Sequence, residues 1–573
     1  MRSTLQACAA ALAYAAATTA TSSLSDICQV SYAKKALPIG IIDGITIDAS
    51  SVSTKMVTNY TASSIWFPTA TFDYCNLTFA YSHDGIEDDV VHVQYWLPAP
   101  SAFKNRYVST GGGGWAINSG SSSIPTGIVA GGVGGLTDGG FGNFNTQFSS
   151  VSLLANGTIN WQATYMFGYQ AHNELAILGK QLTRNIYNFA SSKKLYSYYQ
   201  GCSEGGREGW SQVQRFPDQF DGVVAGAPAF RWAQQQVNHL TGNVIQKNLN
   251  YFPSSCELEK VMNLTIESCD PLDGKTDGVV SRSDLCLEHL DWSKIEGASY
   301  TCAAAAGSYG SAATPAQTGK VSSKAVELIK TYWNGLHDSD GQRVYFTYQP
   351  GSTFTDLETE YDSTTGSWEL DISGLGGIWV AQFIDYIKDA QNIDSLTDVT
   401  YDTLKEWMIF SQKKYGDILQ TTYPDLTDFQ AAGGKVLHIH GEQDYSIPTA
   451  SSVRYWDSVR SIMFPDKSYN AGTAALDDFY RLFLIPGVGH CSTNSYQPNA
   501  VWPQTTLQTV IDWVENGKAP STLAGSGDDI KSMCKWPLRP QWTNNGKTFE
   551  CVFSQKSIDS FTYDLNAYKL PVY

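Results

Sequence analysis

Short apolar runs, each closing on glycine or on a Pro-Gly turn, recur along this chain. NRYVSTGGGGWA carries one that ends at Gly111 to Gly114, Asp221 to Ala225 opens another that gives out at about Ala227-Pro228, Val436 to His440 forms a third inside GGKVLHIHGEQDYSIP, and Leu482 to Ile485 a fourth just before PGVGH. Apolar runs of this length bounded by turn residues predict strands. The segment from Glu204 to Arg215 predicts a helix, which Phe216-Pro217-Asp218 interrupts. About two hundred residues separate the second run from the third, far more than one strand-to-helix connection takes, so an inserted domain is expected there. At the start, MRSTLQACAAALAYAAATTATSS shows one arginine, an Ala/Leu-rich run and then small residues, the pattern of a secretory signal cleaved between about residues 18 and 24. No later stretch is long and apolar enough to span a membrane.

The helix from Glu204 begins in Gly201-Cys202-Ser203-Glu204-Gly205. A serine with glycine two residues away on each side is the nucleophile elbow of α/β-hydrolases, where a strand turns sharply into a helix and exposes the serine hydroxyl. In that fold the acid follows one late strand and the histidine follows the next, in the chain order serine, acid, histidine. The third run leads to Asp444, the expected acid, with Glu442 as the alternative two residues earlier; the fourth leads to His490, the expected base. His438 and His440 precede the acid and are expected in the core or behind the site. The glycines at 111 to 114 let backbone N–H groups approach a substrate without Cβ interference. The N–H groups of Gly113 and Glu204 are the expected oxyanion hole, while Arg207 and Glu208 are expected to be structural.

Composition adds compartment and excludes some partners. The 573 residues are 42% hydrophobic and 13% aromatic, enough for a large core. A formal charge of −17 argues against nucleic acid and against an anionic membrane, both of which reward excess Lys and Arg. Of eleven cysteines, Cys8 falls in the signal, which leaves an even ten and five expected disulfides in an oxidising compartment. Spacing cannot pair them, but the site pairs two: Cys202 precedes the nucleophile and Cys491 follows the histidine, so assembling the triad brings these thiols together. Four sequons, at Asn59, Asn76, Asn156 and Asn263, fit export as glycoprotein.

GCSEGG, the late Asp444 and the adjacent His490-Cys491 resemble the Cys-Ser, Asp and His-Cys arrangement of the fungal tannase and feruloyl esterase family. The likeness extends through SQVQRFPDQFDGVVAGAPAFRWAQQQV, CDPLDGKTDGVVSRSDLC, NGTINWQATYMFGYQAH and KSIDSFTYDLNAYKLPVY, tracts that are more similar to the tannase branch. It implies an α/β-hydrolase fold with a large inserted lid: a signal at 1–20, the first part of the core with the nucleophile at 21–228, the lid with a calcium loop at 229–430, and the second part of the core, with acid and base, at 431–573. It implies a secreted serine esterase that cleaves galloyl esters and depsides of tannins through an acyl-enzyme. A feruloyl or chlorogenate esterase is the alternative, and an inactive secreted binding protein the remote one. Some tannases carry a dibasic processing site in mid-chain; SYTCAAAAGSYGSAATPAQTGKVSS lacks one, so a single mature chain is expected by that route.

Asp270, Asp273 and Asp277 crowd one glycine-containing turn, and hard oxygen ligands at that density suit Ca²⁺ as well as they suit a solvated turn. The resemblance places calcium there, on the side chains of those three residues and the carbonyls of Lys275 and Val279, in a structural role. Cys269 and Cys286 are then expected to bracket the loop. Cys256 with Cys302, Cys28 with Cys75 and Cys534 with Cys551 are the neatest remaining pairs. The sequence does not fix the oligomeric state.

Overall fold

The computed structural model describes residues 22–307, 313–525, 533–568 and 573. The signal expected at residues 1–20 lies outside them, as do residues 308–312 of the segment that lacks a dibasic pair. The centre of the molecule is a nine-stranded sheet: β1 Ile45–Ser64, β2 Phe67–His83, β3 Val91–Pro98, β4 Arg106–Thr110, β5 Gly132–Thr137, β6 Tyr196–Cys202, β7 Gly222–Gly226, β8 Lys435–Gly441 and β9 Tyr480–Ile485, in the order β1-β2-β3-β5-β4-β6-β7-β8-β9. The β1, β2, β3 and β5 neighbours pair antiparallel, and every pairing from β5 through β4 to β9 is parallel. The four apolar runs are thus β4, β7, β8 and β9. They sit in the parallel half, where both faces are covered and apolar side chains are needed throughout.

Helices α1 (Ala171–Ile186), α2 (Glu204–Arg215) and α3 (Ala450–Met463) pack on this sheet. α2 stops at Arg215, as Phe216-Pro217 predicts. The inserted stretch between β7 and β8 has an apolar nucleus of its own around Val261, Ile266, Leu328, Ile329 and Leu357. Part of it nonetheless merges with the main core: Trp379 and Phe383 stack on Trp115 at 6.3 and 5.5 Å, and Trp232 meets Trp115 edge-on at 5.4 Å. Offset and edge-on aromatic contacts of this kind add to the area they bury, and Trp115 lies directly after the glycine run that follows β4. The insertion is therefore packed against the end of the sheet at which β4, β6, β8 and β9 finish, where open α/β sheets place their sites.

Candidate active site

Ser203 stands at the junction of β6 and α2 with φ 62° and ψ −121°, a left-handed conformation that a serine adopts at a cost. Two glycines make the turn possible. A Cβ on Gly201 would lie 2.5 Å from the Gly205 carbonyl oxygen, and one on Gly205 would lie 2.8 Å from the Gly112 carbonyl oxygen. His490 follows β9 and Asp444 follows β8, and the two loops converge on Ser203. His490 Nε2 is 2.9 Å from Ser203 Oγ, and His490 Nδ1 is 2.8 Å from Asp444 Oδ2. Asp444 is fully buried, and its Oδ1 accepts the backbone N–H groups of Ser446 and Ile447 at 2.8 and 2.9 Å. Burial alone would push its carboxyl up, but the imidazole of His490 and the hydrogen bonds from His440 and His490 hold it far below the usual carboxylate range.

Glu442, the alternative acid, points elsewhere. Its carboxylate pairs with the Arg539 guanidinium and accepts the Ser283 hydroxyl, so it ties β8 to the C-terminal segment instead of to His490. Cys202 and Cys491 are disulfide-bonded with Cα atoms 6.0 Å apart, and Cys28–Cys75, Cys256–Cys302, Cys269–Cys286 and Cys534–Cys551 are bonded as well.

The oxyanion loop differs from the sequence expectation. Gly113 N–H donates to the Ala116 carbonyl at 3.0 Å, across a tight reversal of the chain, and so is not open to a ligand. The next residue, Gly114, has φ 58°, and among the described residues its N–H has no acceptor, nor has that of Glu204 at the start of α2. Gly112 is clamped to α2 from both sides: its carbonyl accepts Gly205 N–H at 3.1 Å and its N–H donates to Glu208 Oε2 at 2.9 Å. Glu208 also accepts the Tyr199 hydroxyl at 3.0 Å, while Arg207 pairs with Glu204 beneath the elbow. Both α2 side chains thus hold the elbow and the glycine loop in one frame.

A cavity of about 500 Å³ opens over Ser203 and His490, lined also by Gly113, Gly114, Ile65 and Trp66. The Tyr445 ring meets the His490 imidazole edge-on at 5.9 Å and lines a second cavity, of about 650 Å³, in the inserted region. Glu259, Glu358, Tyr361, Trp368 and Asp371 are among its other walls. Nothing in the residue types alone marked Trp66 or the second cavity, because β1, β2 and the insertion reach the site only through long-range packing.

The acidic turn is placed differently. Asp270 turns inward, accepting the N–H groups of Asp277 and Gly278 at 3.0 and 2.9 Å, and Asp277 pairs with the Lys275 ammonium at 3.0 Å. Among the described residues no three His, Cys, Asp or Glu side chains are gathered as a metal cluster. Asp273 is the exception to this self-satisfaction. Its Oδ1 accepts Lys275 N–H and the Ser281 hydroxyl lies beside the carboxylate, but its buried Oδ2 completes no hydrogen bond among the described residues, and burial pushes its carboxyl up to about 6. An uncompensated buried oxygen is what a hard cation would meet, so the donor set fits calcium at this residue. Of the sequon asparagines, Asn59, Asn156 and Asn263 are exposed, whereas Asn76 is half-buried on β2 and its side chain accepts from Gln94 at 2.9 Å.

A doubly flanked sheet with a strained serine at the strand-to-helix turn defines the α/β-hydrolase class. The profile of the family described as tannase and feruloyl esterase matches residues 75–558. A tannase from Aspergillus oryzae is 46% identical over 98% of this chain and 99% of its own length. A solved tannin acyl hydrolase from Aspergillus niger superposes with TM-score 0.92 at 56% identity, covering 96% of this chain and 99% of that one. Feruloyl esterase B from Aspergillus oryzae superposes with TM-score 0.66 at 25% identity, over 89% of this chain and 97% of that one. The chain belongs to the tannase and feruloyl esterase family and is a carboxylic ester hydrolase.

Proposed function

We propose that the protein is a secreted tannin acyl hydrolase in which Ser203, His490 and Asp444 cleave galloyl esters and depsides through an acyl-enzyme. The observation that carries the chemistry is the unbroken line of Ser203 Oγ, His490 and Asp444 at 2.9 and 2.8 Å. Ser203 attacks the ester carbonyl as His490 Nε2 takes its proton, and Asp444 holds the imidazole by Nδ1. The N–H groups of Glu204 and Gly114 receive the oxyanion, each worth about 3 kcal/mol in comparable sites. His490 returns the proton to the leaving oxygen, and water then repeats the sequence on the acyl-enzyme.

The substrate reading rests on the tannase relatives and on the second cavity, where the rings of Tyr361, Trp368 and Tyr445 stand beside the carboxylates of Glu358 and Asp371. Aromatic faces stack on a phenolic ring, and carboxylates accept its hydroxyl protons. Methyl gallate, methyl ferulate and chlorogenic acid separate the readings: the gallate ester should give the highest kcat/KM, and a preference for ferulate or chlorogenate would move the assignment to the other branch. Secretion is supported by the five disulfides, which persist in oxidising compartments.

Calcium is proposed on Asp270, Asp273 and Asp277 with the carbonyls of Lys275 and Val279, where it would supply the missing partner of Asp273 Oδ2. Its role is structural. Val280, next to the loop, reaches the acid's neighbourhood: its carbonyl accepts Gln443 Nε2 at 3.1 Å. Chelation should lower Tm by mass action and reduce activity only as far as the insertion loosens. Protein purified without chelator and found free of calcium by elemental analysis would remove this assignment.

A further inference from the structure

Behind Asp444 lies a second array that the triad does not use. His438 and His440, two residues apart on β8, face the same side of the sheet. His440 Nε2 is 3.1 Å from Asp444 Oδ2 and 3.0 Å from the Ile447 carbonyl oxygen. Its Nδ1 is 2.6 Å from Ser452 Oγ on α3, and the same hydroxyl oxygen is 2.8 Å from His438 Nε2. His438 Nδ1 is 2.8 Å from the Tyr480 hydroxyl at the start of β9. Each of these five side chains, Asp444 included, is at most 1% exposed. Trp210 of α2 closes the array, edge-on to His438 at 5.8 Å and to Tyr480 at 4.9 Å.

The direction of every hydrogen bond follows from its end. The Ile447 carbonyl and the Asp444 carboxylate only accept, so His440 Nε2 carries a proton. With one proton on the ring, its Nδ1 accepts and the Ser452 O–H donates to it. With that proton used, Ser452 Oγ accepts the N–H of His438 Nε2, and His438 Nδ1 accepts the Tyr480 O–H. Burial keeps His438 and Tyr480 neutral, holding His438 well below the imidazole range and Tyr480 well above the phenol range. One proton per link satisfies the chain, and all of them point toward Asp444. Hydrogen bonds aligned in series polarise one another in the same sense.

We propose that His440, oriented by Ser452, His438 and Tyr480, is a positioning residue for ester hydrolysis: it places a second N–H on the Asp444 oxygen that receives His490. The inference rests on the triad reading of Ser203, His490 and Asp444. Two backbone N–H groups already hold Asp444 Oδ1. With His440 on Oδ2 the carboxylate has no freedom to rotate as His490 becomes charged. Without it, Oδ2 keeps one donor in a dry site and the imidazole loses a fixed direction.

The test is a mutant cycle read by kcat, KM and the rate of Ser203 labelling with a serine-directed phosphonate. His440→Leu should lower kcat and the labelling rate together by about thirtyfold while KM stays within about twofold, an effect of the size that support of a reacting group carries. His440→Gln, whose amide N–H can reach the same oxygen, should recover most of the loss. Ser452→Ala should cost about tenfold in the wild-type background and nothing further in His440→Leu, because the two act in series. Multiplying losses in the double mutant, or a folded His440→Leu protein labelled at the wild-type rate, would overturn the proposal and leave the triad standing. A wild-type protein in which the phosphonate does not modify Ser203 would overturn the triad reading itself.

Discussion

Ser203→Ala should abolish ester hydrolysis, on the order of a 10⁵-fold loss in kcat, and leave the fold intact. The side chain makes one hydrogen bond, to His490, and alanine meets the same backbone demand at φ 62° as serine does. His490→Ala should cost about as much, because nucleophile and base act as one unit and neither works alone. Asp444→Asn keeps the shape of the acid but offers an amide where Nδ1–H needs an acceptor; a loss of about 10⁴-fold is expected. Glu442→Gln supplies the contrast. Its partner Arg539 is 1% exposed, so breaking this pair should cost about 3 kcal/mol of stability while kcat of the folded protein stays near wild type. An Asp444→Asn enzyme at wild-type rate, beside a dead and folded Glu442→Gln, would reverse the roles of these two carboxylates.

What the sequence disclosed here depended on how local the determinant is. The elbow pattern is local: Gly201 is required by its contact with Gly205, and although Gly205 is required by the distant Gly112, the Gly-x-Ser-x-Gly spacing can be read without knowing the rest of the fold. That Asp444 and His490 meet Ser203 was legible because a strand, a loop and a polar residue recur in chain order, and because Cys491 adjoins His490. Which glycine amide stays open beside Ser203 was not legible. Four successive glycines are equivalent in sequence, and which amide stays free is decided by the hydrogen bond that Gly113 makes to Ala116.

The insertion and the acidic turn show the same limit. Length betrayed the insertion, but no periodicity announced that Trp232, Trp379 and Phe383 would pack on Trp115 and so bind it to the catalytic end of the sheet. Carboxylate spacing marked the turn at Asp270 to Asp277. It could not say that backbone N–H groups would occupy Asp270 and leave Asp273 Oδ2 bare. His438 and His440 were legible as residues behind the site, since alternate residues of a strand share a face. Their link to Asp444 needed Ser452, which arrives from α3.

Replacing both Cys202 and Cys491 by alanine removes no group that moves a proton or attacks a carbonyl, yet a loss of about a hundredfold in kcat is expected, with KM little changed. Both loops are strained where the bond joins them. Ser203, beside Cys202, has φ 62°, and Cys491 itself has φ 52°, a region that residues other than glycine leave when nothing holds them. The Cys491 loop is otherwise held by a short reversal, with the Gly489 N–H on the Ser492 carbonyl at 3.1 Å and a Val488–Thr493 bridge, and by the bond from His490 to Asp444; none of these ties the loop to the elbow, so without the disulfide the distance from His490 to Ser203 is less closely set. A displacement of about 1 Å between base and nucleophile suffices for the predicted loss. Stability should fall by at most about 6 kcal/mol, the chain-entropy value for a cross-link across a separation of 289 residues, so the two proteins are to be compared at a temperature where both are folded. A peptide map that pairs Cys202 with a cysteine other than Cys491 would remove the premise. A folded double mutant with normal kcat would show that the glycine loop and α2, not the disulfide, set the distance between Ser203 and His490 in this protein.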